Sequence, residues 1–487
     1  MIIWNAFLNY FVMPGEKVKI IVLCILILSL IMRRREVIRG VYEQLQKIPT
    51  RTLLLVLFSL AFLLRLGWVL WSPHTAPSAG TEDMIMLRHA RDLASGRGYL
   101  TSEGAFSADR PIGYPIFLAF VFKMFGENIG LVEFLQIVFS VLGVFTVFCL
   151  GRQVCNREVG FFAALLLALF PTSIFASKVV LEEHVFIPLW LLGINIMISD
   201  LKKPSWKKIV AQGLIFGIAA HFLTYACAMG LVVFFWWLVN RKGIGPALLR
   251  GLAIQLLILS LALPWAIRNY VKLGEPIFYT TWIGAALYFA NNDTTDVRHP
   301  INPTVEQGGD EDFARATTEL ERNRAGKKAA LKWIVKNPGT FIQKGAGRII
   351  YMLGLSREGW IVKDNFYTLR PGRAQPKKGL IRFFDKLDND YYGNIFLFAL
   401  LGLAIFCFTP NVSRPKGLWL IIFTFAYYLA FVALTPGQRK YRFSIEPFFC
   451  ILAAYALFTA WFGHVAEWLN FKESPSSKHL SRPITSL

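Results

Sequence analysis

The sequence contains few charged residues. Asp, Glu, Lys and Arg make up 17% of its 487 residues, while hydrophobic residues make up 55%. An ordinary soluble domain has about 25% charged residues. This composition excludes a typical soluble core and indicates a membrane protein that crosses the bilayer several times.

Acidic residues and cysteines are scarce as well. The 31 acidic residues face 52 Lys and Arg, a net charge of +21. Because cytoplasmic loops of membrane proteins are basic, topology explains this excess better than nucleic-acid binding does. The six cysteines lie in or beside apolar segments and lack metal-ligand spacing: Cys24, Cys149, Cys155, Cys227, Cys407 and Cys450. The predicted external loops contain none, so no disulfide or thiolate metal site is predicted there.

The sequence contains many long apolar segments. A spanning helix needs about 20 mostly apolar residues, and about eleven segments approach that length. They are 18–32, 52–71, 128–150, 159–176, 184–199, 209–224, 227–240, 251–268, 391–408, 418–434 and 445–463. The first lacks a small-residue cleavage site and is predicted to be an anchor rather than a signal peptide. Segment 113–126 is shorter and contains Pro115, so an interfacial or re-entrant helix is expected there.

The basic loops predict the orientation. Lys and Arg cluster at 33–51, 202–208, 241–242 and 414–416, in alternate loops. These loops are predicted to be cytoplasmic, which puts the N-terminus outside and the C-terminal tail inside. Segments 72–125 and 269–390 then both lie on the external face.

The predicted fold is all-α and polytopic, with about 11 to 13 transmembrane helices, juxtamembrane helices and an external loop domain. The predicted divisions are an anchor helix with a basic cytoplasmic loop (1–51), a transmembrane core (52–268) that includes the first external loop (72–127), an external loop domain (269–390), C-terminal transmembrane helices (391–463) and a cytoplasmic tail (464–487). Within the external loop domain, acidic residues precede lysines over 308–338. This order predicts one helix lying on the membrane or on the helix bundle.

Two acidic pairs are the candidate chemical groups. Glu82 and Asp83 open a short amphipathic helix, where helix capping or simple solvation is the alternative explanation. Glu182 and Glu183 lie between two hydrophobic segments. Charges at membrane depth cost about 2.5 to 3.5 kcal/mol each on insertion scales, so such residues usually line a functional cavity.

Cationic residues are predicted on the same face as these carboxylates. They are Arg110, Arg268, Lys440 and Arg442. Interfacial snorkelling is the alternative for each one alone. Basic residues on the outer face run against the orientation rule, so we interpret the set as a site for an anion such as a lipid phosphate.

The motifs together resemble a known family. From about residue 52 to 463 their order is an acidic helix, GRGY, DRPIGYP, an acidic pair, LPWAIRNY and KYRFSIEPF. This order is similar to that of GT-C glycosyltransferases of the protein O-mannosyltransferase and lipid A aminoarabinose transferase type. The resemblance implies an inverting enzyme of the inner (plasma) membrane. It would transfer a sugar, hexosyl or pentosyl, from a polyprenyl-phosphate carrier to a glycolipid, lipid A, polysaccharide or protein on the extracytoplasmic face.

The resemblance also implies residue roles. The family's catalytic aspartate falls on Glu82 by register, but Asp83 is the usual residue type, so either could be the base. The second acidic position falls on Glu183, and Glu182 and Tyr114 are the implied substrate-binding neighbours. Met86 stands where the family commonly has Tyr.

The remaining implied roles concern the donor and cofactors. Arg110, Arg268, Lys440 and Arg442 would hold the donor phosphate. Some relatives bind a divalent metal, but no histidine cluster supports a metal site here, and His89 and His184 are interpreted as structural. No cofactor is therefore assigned from the sequence, and a divalent metal is left open as an alternative. The alternative function is a polytopic lipid or glycolipid transporter or flippase, which predicts broken helices and inverted repeats; no internal repeat is visible.

Overall fold

The structure is a computed structural model that describes residues 44–72, 82–297, 303–354, 378–409 and 415–462. Within these ranges the chain is helical, and the one bridge of β type pairs Leu100 with Phe106. The all-α prediction is therefore confirmed for the described part. The predicted anchor segment 18–32 and the tail 464–487 lie outside the described residues.

Seventeen α-helices are assigned in the described ranges. The first ten are α1 (Thr50–Trp71), α2 (Glu82–Ala94), α3 (Gly113–Phe125), α4 (Ile129–Val154), α5 (Arg157–Ala168), α6 (Pro171–Ala176), α7 (Glu183–Lys202), α8 (Trp206–Phe222), α9 (Met229–Val239) and α10 (Ile244–Leu273). The others are α11 (Trp282–Ala290), α12 (Glu311–Arg315), α13 (Glu319–Lys336), α14 (Pro338–Leu353), α15 (Lys378–Phe408), α16 (Leu418–Leu434) and α17 (Glu446–Phe462). Short 3-10 helices cover Thr224–Ala226, Val305–Gln307 and Arg439–Ile445.

Six described helical segments are long and apolar enough to cross a membrane. They are α1, α4, α7, α10, α15 and the segment Arg439–Thr459, which joins the last 3-10 helix to α17. Helices α3, α9 and α16 are apolar but shorter. The prediction of a membrane protein is confirmed. Each predicted span within the described residues coincides with helix, although fewer reach spanning length than the sequence suggested.

One predicted span, 159–176, is two helices. Helix α5 ends at Ala168, and Pro171 is the first residue of α6. Proline has no N–H and disfavours helical backbone in the residue before it. Phe170 accordingly has extended dihedral angles, with φ −68° and ψ 115°.

Two helices extend beyond the predicted segments. Helix α10 covers thirty residues and ends at Leu273; Gly274 follows as a left-handed C-cap with a φ of 84°. Helix α15 begins at Lys378, so the predicted boundary at 390 falls inside a helix. The sequence criterion followed continuous apolar residues and therefore stopped at the charged residues near the ends of these helices.

The prediction of one helix over 308–338 was wrong. Helix α12 ends at Arg315, and α13 starts after Thr318. The Thr318 hydroxyl accepts from the Glu321 N–H while the Glu321 carboxylate accepts from the Thr318 N–H. This reciprocal capping box starts a new helix. Pro338 then opens α14 at its first position, where a missing N–H costs nothing.

The packing brings together segments that are distant in the sequence. Helix α2 packs along α3, and α13 packs along α11. Helix α14 packs on α16 and on the 3-10 helix Arg439–Ile445. A Cβ on Gly113 would lie 2.6 Å from the His221 carbonyl oxygen, so α3 meets the end of α8 at a distance that only glycine permits.

Candidate functional site

The first acidic residue of α2 meets two cations from other parts of the chain. The Lys440 ammonium forms an ion pair with Glu82 Oε2. Arg110 Nε lies 3.8 Å from Glu82 Oε1. The Glu82 side chain is 38% exposed, so this meeting point opens to the molecular surface.

These cations set the ionisation of Glu82. Partial burial by itself raises the pKa of the carboxyl. The charges of Lys440 and then Arg110 outweigh burial and hold the pKa of Glu82 below its ordinary value. Glu82 is therefore a carboxylate at neutral pH.

The second acidic pair lies near the same lysine. Glu182 and Glu183 precede and begin α7, and both are buried. Both are within electrostatic range of Lys440 and of Glu82. Glu82, Glu182, Glu183, Lys440 and Arg110, called the charge cluster below, thus come from four separate stretches of sequence.

Asp83 differs from its neighbour. It is half-buried on the first turn of α2. Among the described residues no cation pairs with its carboxylate. Of the two candidate bases, Glu82 faces the charge cluster and Asp83 carries no counter-ion.

Besides Asp83, three sequence-predicted site residues lie outside the charge cluster. The first is Arg442, which is buried, donates from Nε to Glu446 Oε1 at 3.0 Å and stacks 3.5 Å from the Tyr392 ring centre. These contacts fix the 3-10 helix that carries Lys440.

Tyr114 is also fully buried. Its hydroxyl donates to Gln136 Oε1 at 2.6 Å. Gln136 in turn accepts from the Leu181 N–H and donates to the Val179 carbonyl. Tyr114 therefore supports the segment that leads into Glu182.

Arg268, in α10, holds the loop that joins α2 to α3. Its guanidinium donates to the Ser107 carbonyl at 2.7 Å and to the Tyr99 carbonyl at 3.0 Å. Tyr99 donates its hydroxyl to the Arg110 carbonyl at 3.1 Å and stacks on His89 with centres 3.9 Å apart. Three motifs, GRGY, DRPIGYP and LPWAIRNY, thus meet in one assembly that positions Arg110.

The backbone conformation explains why a glycine precedes Tyr99 in the GRGY motif. Gly98 has a φ of 102°, a region that side chains with a Cβ rarely adopt. Its conformation turns the chain so that Tyr99 enters the core.

Sequence reasoning missed a clasp between the start of α13 and the loop that joins α2 to α3. Glu319, the first residue of α13, accepts from the Ala108 N–H at 2.7 Å and from the Ser107 hydroxyl at 2.8 Å. Burial raises the pKa of Glu319 in spite of these hydrogen bonds. Its only signal in the sequence was an acidic residue at a helix start, which the helix dipole explains locally.

Asp109, quoted only as part of a motif, belongs to the same clasp. Its Oδ1 lies 2.9 Å from His89 Nε2. Burial opposes ionisation, but His89 and Arg110 hold the pKa of Asp109 below its ordinary value. Beside it the Arg110 guanidinium lies 4.6 Å over the Trp282 ring. Trp282 was also missed, because nothing local distinguishes it from other aromatic residues.

The residues present do not fit a divalent metal. Lys440 occupies the space next to Glu82 that a cation would need. Within the described ranges no group of three or more His, Cys, Asp or Glu could hold a metal ion.

Part of the chain is similar in sequence to a known protein family. A family model described as dolichyl-phosphate-mannose-protein mannosyltransferase matches residues 109–267. This match confirms, over roughly a third of the chain, the resemblance seen in the motifs. No curated protein matches.

Solved structures are similar at low sequence identity. The archaeal oligosaccharyltransferase AglB from Archaeoglobus fulgidus, in complex with an inhibitory peptide and a dolichol-phosphate, is 12% identical with a TM-score of 0.49, and the match covers 85% of this chain and 50% of that one. ArnT from Cupriavidus metallidurans bound to undecaprenyl phosphate is 13% identical with a TM-score of 0.41, covering 82% of this chain and 77% of that one. This chain spans about half the length of the archaeal protein.

Proposed function

We propose that this chain is an inverting glycosyltransferase that moves a sugar from a polyprenyl-phosphate carrier to an acceptor. The observation that carries the proposal is the charge cluster, in which carboxylates and cations from distant segments meet at the ends of apolar helices. The family match over residues 109–267 supports the same activity.

The proposed chemistry needs one base and at least one cation. A polyprenyl phosphate leaves the anomeric carbon as a stable anion, so its departure needs little proton transfer. Glycoside hydrolysis differs because a second carboxyl group must protonate an alcohol leaving group. A positioned base contributes typically about 10² to 10⁴ in rate, and cations stabilise the charge that develops on the phosphate.

Lys440 and Arg110 are the proposed phosphate ligands. Both cations are directed at one carboxylate, that of Glu82. A donor phosphate would compete with Glu82 for these two cations and would leave Glu82 free to take the acceptor proton. This exchange couples donor binding to release of the base.

Asp83 is the alternative base, since it needs no such release. Glu183, with Glu182 beside it, is proposed to orient the acceptor or the transferred sugar. Arg268, Arg442 and Tyr114, which the resemblance placed on the substrate, are proposed to act by positioning the loops that carry Arg110, Lys440 and Glu182.

The proposal includes the location of the site, the transferred group and the acceptor. The site is placed on the extracytoplasmic face of the inner (plasma) membrane, with segment 269–390 as an external domain around it. The transferred group is hexosyl or pentosyl, and the acceptor is a glycolipid, lipid A, a polysaccharide or a protein.

The test is sugar transfer by the purified full chain in lipid nanodiscs. Labelled polyprenyl-phosphate sugars are supplied, and transfer is compared for wild type, Glu82→Gln and Asp83→Asn at equal protein levels. We expect Glu82→Gln to lose transfer by about 10² or more and Asp83→Asn to retain most of it. The reverse result assigns the base to Asp83. Retained turnover in both variants, or movement of the intact lipid without transfer, would favour the transporter and contradict the proposal.

A further inference from the structure

A cation lies buried inside a membrane-spanning helix. Arg65, in α1, has no exposed surface. Its guanidinium donates to the Ser140 hydroxyl at 2.7 Å, the Ser173 hydroxyl at 2.8 Å and the carbonyl oxygens of Ala61, Leu167 and Ala168. Every one of these partners is neutral. Charged residues in such segments are costly and are usually retained for a function.

The two serines that bind Arg65 both line an internal cavity. Glu183, His184 and Phe443 line the same cavity. The cavity has room for about one water molecule. Arg65, through its hydrogen bonds to Ser140 and Ser173, and the charge cluster, through Glu183, therefore both reach this one small cavity.

Glu183 has an unsatisfied atom at this cavity. Its side chain is 5% exposed, and Oε2 is buried without a hydrogen-bond partner among the described residues. An unpaired carboxylate oxygen in a buried site is costly, and natural proteins nearly always satisfy it with protein or ordered water.

The direction of the hydrogen bonds is fixed by chemistry. Arginine has only donors, so Ser173 Oγ must accept from it. Ser140 Oγ, which also accepts from Arg65, lies 3.4 Å from Ser173 Oγ, a distance that is long for a hydrogen bond between two hydroxyls. The proton of the Ser173 hydroxyl can therefore be donated into the cavity, where a water can accept it and donate onward. Glu183 Oε2 is the acceptor at the end of this chain, and every link is polarised in the same sense.

We propose that this cavity is a water-binding site through which Arg65 and Ser173 hold the Glu183 carboxylate. Arg65 is then a positioning residue for the charge cluster, acting through Ser173 and one water molecule. It explains why a guanidinium is kept in an otherwise apolar span. The effect on turnover rests on the proposed function, but the water and its coupling to Glu183 do not.

The first test needs no activity. Thermal unfolding of the full chain in nanodiscs is measured for Ser173→Ala, Glu183→Gln and the double variant. If water joins the two groups, their effects are coupled and the double variant loses less than the sum of the single variants. Ser177→Ala is the matched control, because Ser177 is a buried serine that donates to the Ser173 carbonyl and does not line the cavity. Its effect should add to that of Glu183→Gln.

The second test measures the consequence for the reaction. Ser173→Ala should lower kcat about tenfold with the donor KM unchanged, while Ser177→Ala leaves both near wild type. An experimental map of the full chain should show ordered water between Ser173 Oγ and Glu183 Oε2. Additive unfolding effects for Ser173 and Glu183, or a map without that water, would overturn the inference. Coupling without any sugar transfer would support the inference while contradicting the proposed function.

Discussion

Lys440 and Glu82 form an ion pair although 358 positions separate them in the sequence. The pair ties the start of α2 to the 3-10 helix that precedes α17. Neither residue alone distinguishes a catalytic site from an exposed charge. Their meeting, with Arg110 beside them, is what makes this region a candidate active site.

Lys440→Met should shift the acid limb of the pH–rate profile. Burial raises the pKa of Glu82, and Lys440 is the largest influence that lowers it. Without the lysine the pKa of Glu82 rises, so the base is protonated at a higher pH and kcat/KM begins to fall at a higher pH than in wild type. Lys440→Arg keeps the charge and should keep the limb in place. An unmoved acid limb in Lys440→Met would show that Glu82 is not the titrating base.

Glu319→Ala should loosen the loop that joins α2 to α3. It removes the acceptor of the Ala108 N–H and of the Ser107 hydroxyl. Hydrogen bonds to a charged group contribute about 1.5 to 3 kcal/mol each, so the Ala108 amide should exchange with deuterium at least tenfold faster. Hydrogen-exchange mass spectrometry of the loop measures this. Glu311→Ala is the control, since its exposed pair with Arg315 should leave exchange at Ala108 unchanged.

Arg268→Lys should impair activity although it keeps the charge. Two nitrogens of the guanidinium donate to two different carbonyl oxygens. The single ammonium nitrogen of lysine cannot donate to both with the same geometry. We expect transfer to fall about tenfold, and added guanidinium to restore part of it in Arg268→Ala. Lys272→Ala is the control variant, because Lys272 is a cation of the same helix as Arg268 and stacks on Phe106 in the loop. Equal losses in Lys272→Ala and Arg268→Lys would argue against a specific role for these two hydrogen bonds.

Arg442→Met should destabilise the whole protein rather than weaken donor binding selectively. It leaves the buried Glu446 carboxylate without its partner, and Asp388 is within electrostatic range of the same guanidinium. Removing one member of a buried ion pair typically costs about 3 to 5 kcal/mol. The apparent Tm in nanodiscs should fall, and Arg442→Met combined with Glu446→Leu should recover part of the loss. A normal Tm with a raised donor KM would place Arg442 on the phosphate instead.

Most of the helices and part of the candidate site could be predicted from the sequence. Apolar segments of spanning length located α1, α4, α7, α10 and α15, because a bilayer imposes one length on all of them. Local chemistry that interrupts such a segment was harder to weigh. Pro171 splits one predicted span, and Thr318 with Glu321 starts a helix inside a stretch predicted to be continuous.

Charge at membrane depth was the useful signal for the site. It singled out Glu183, and the outer basic residues pointed to Lys440 and Arg110. Roles that depend on distant partners were not readable from the chain. Glu319 contacts Ser107 across 212 positions, and Arg65 contacts Ser173 across 108, so neither has a sequence neighbour that reveals its task.

Arg268 recognises the backbone of Tyr99 and Ser107, and not their side chains. A carbonyl oxygen is present whatever amino acid occupies the position. Substitution at Ser107 would remove the hydroxyl that Glu319 binds, but it would leave the carbonyl contact with Arg268 intact. The guanidinium therefore holds the course of this loop independently of the side chains at both positions.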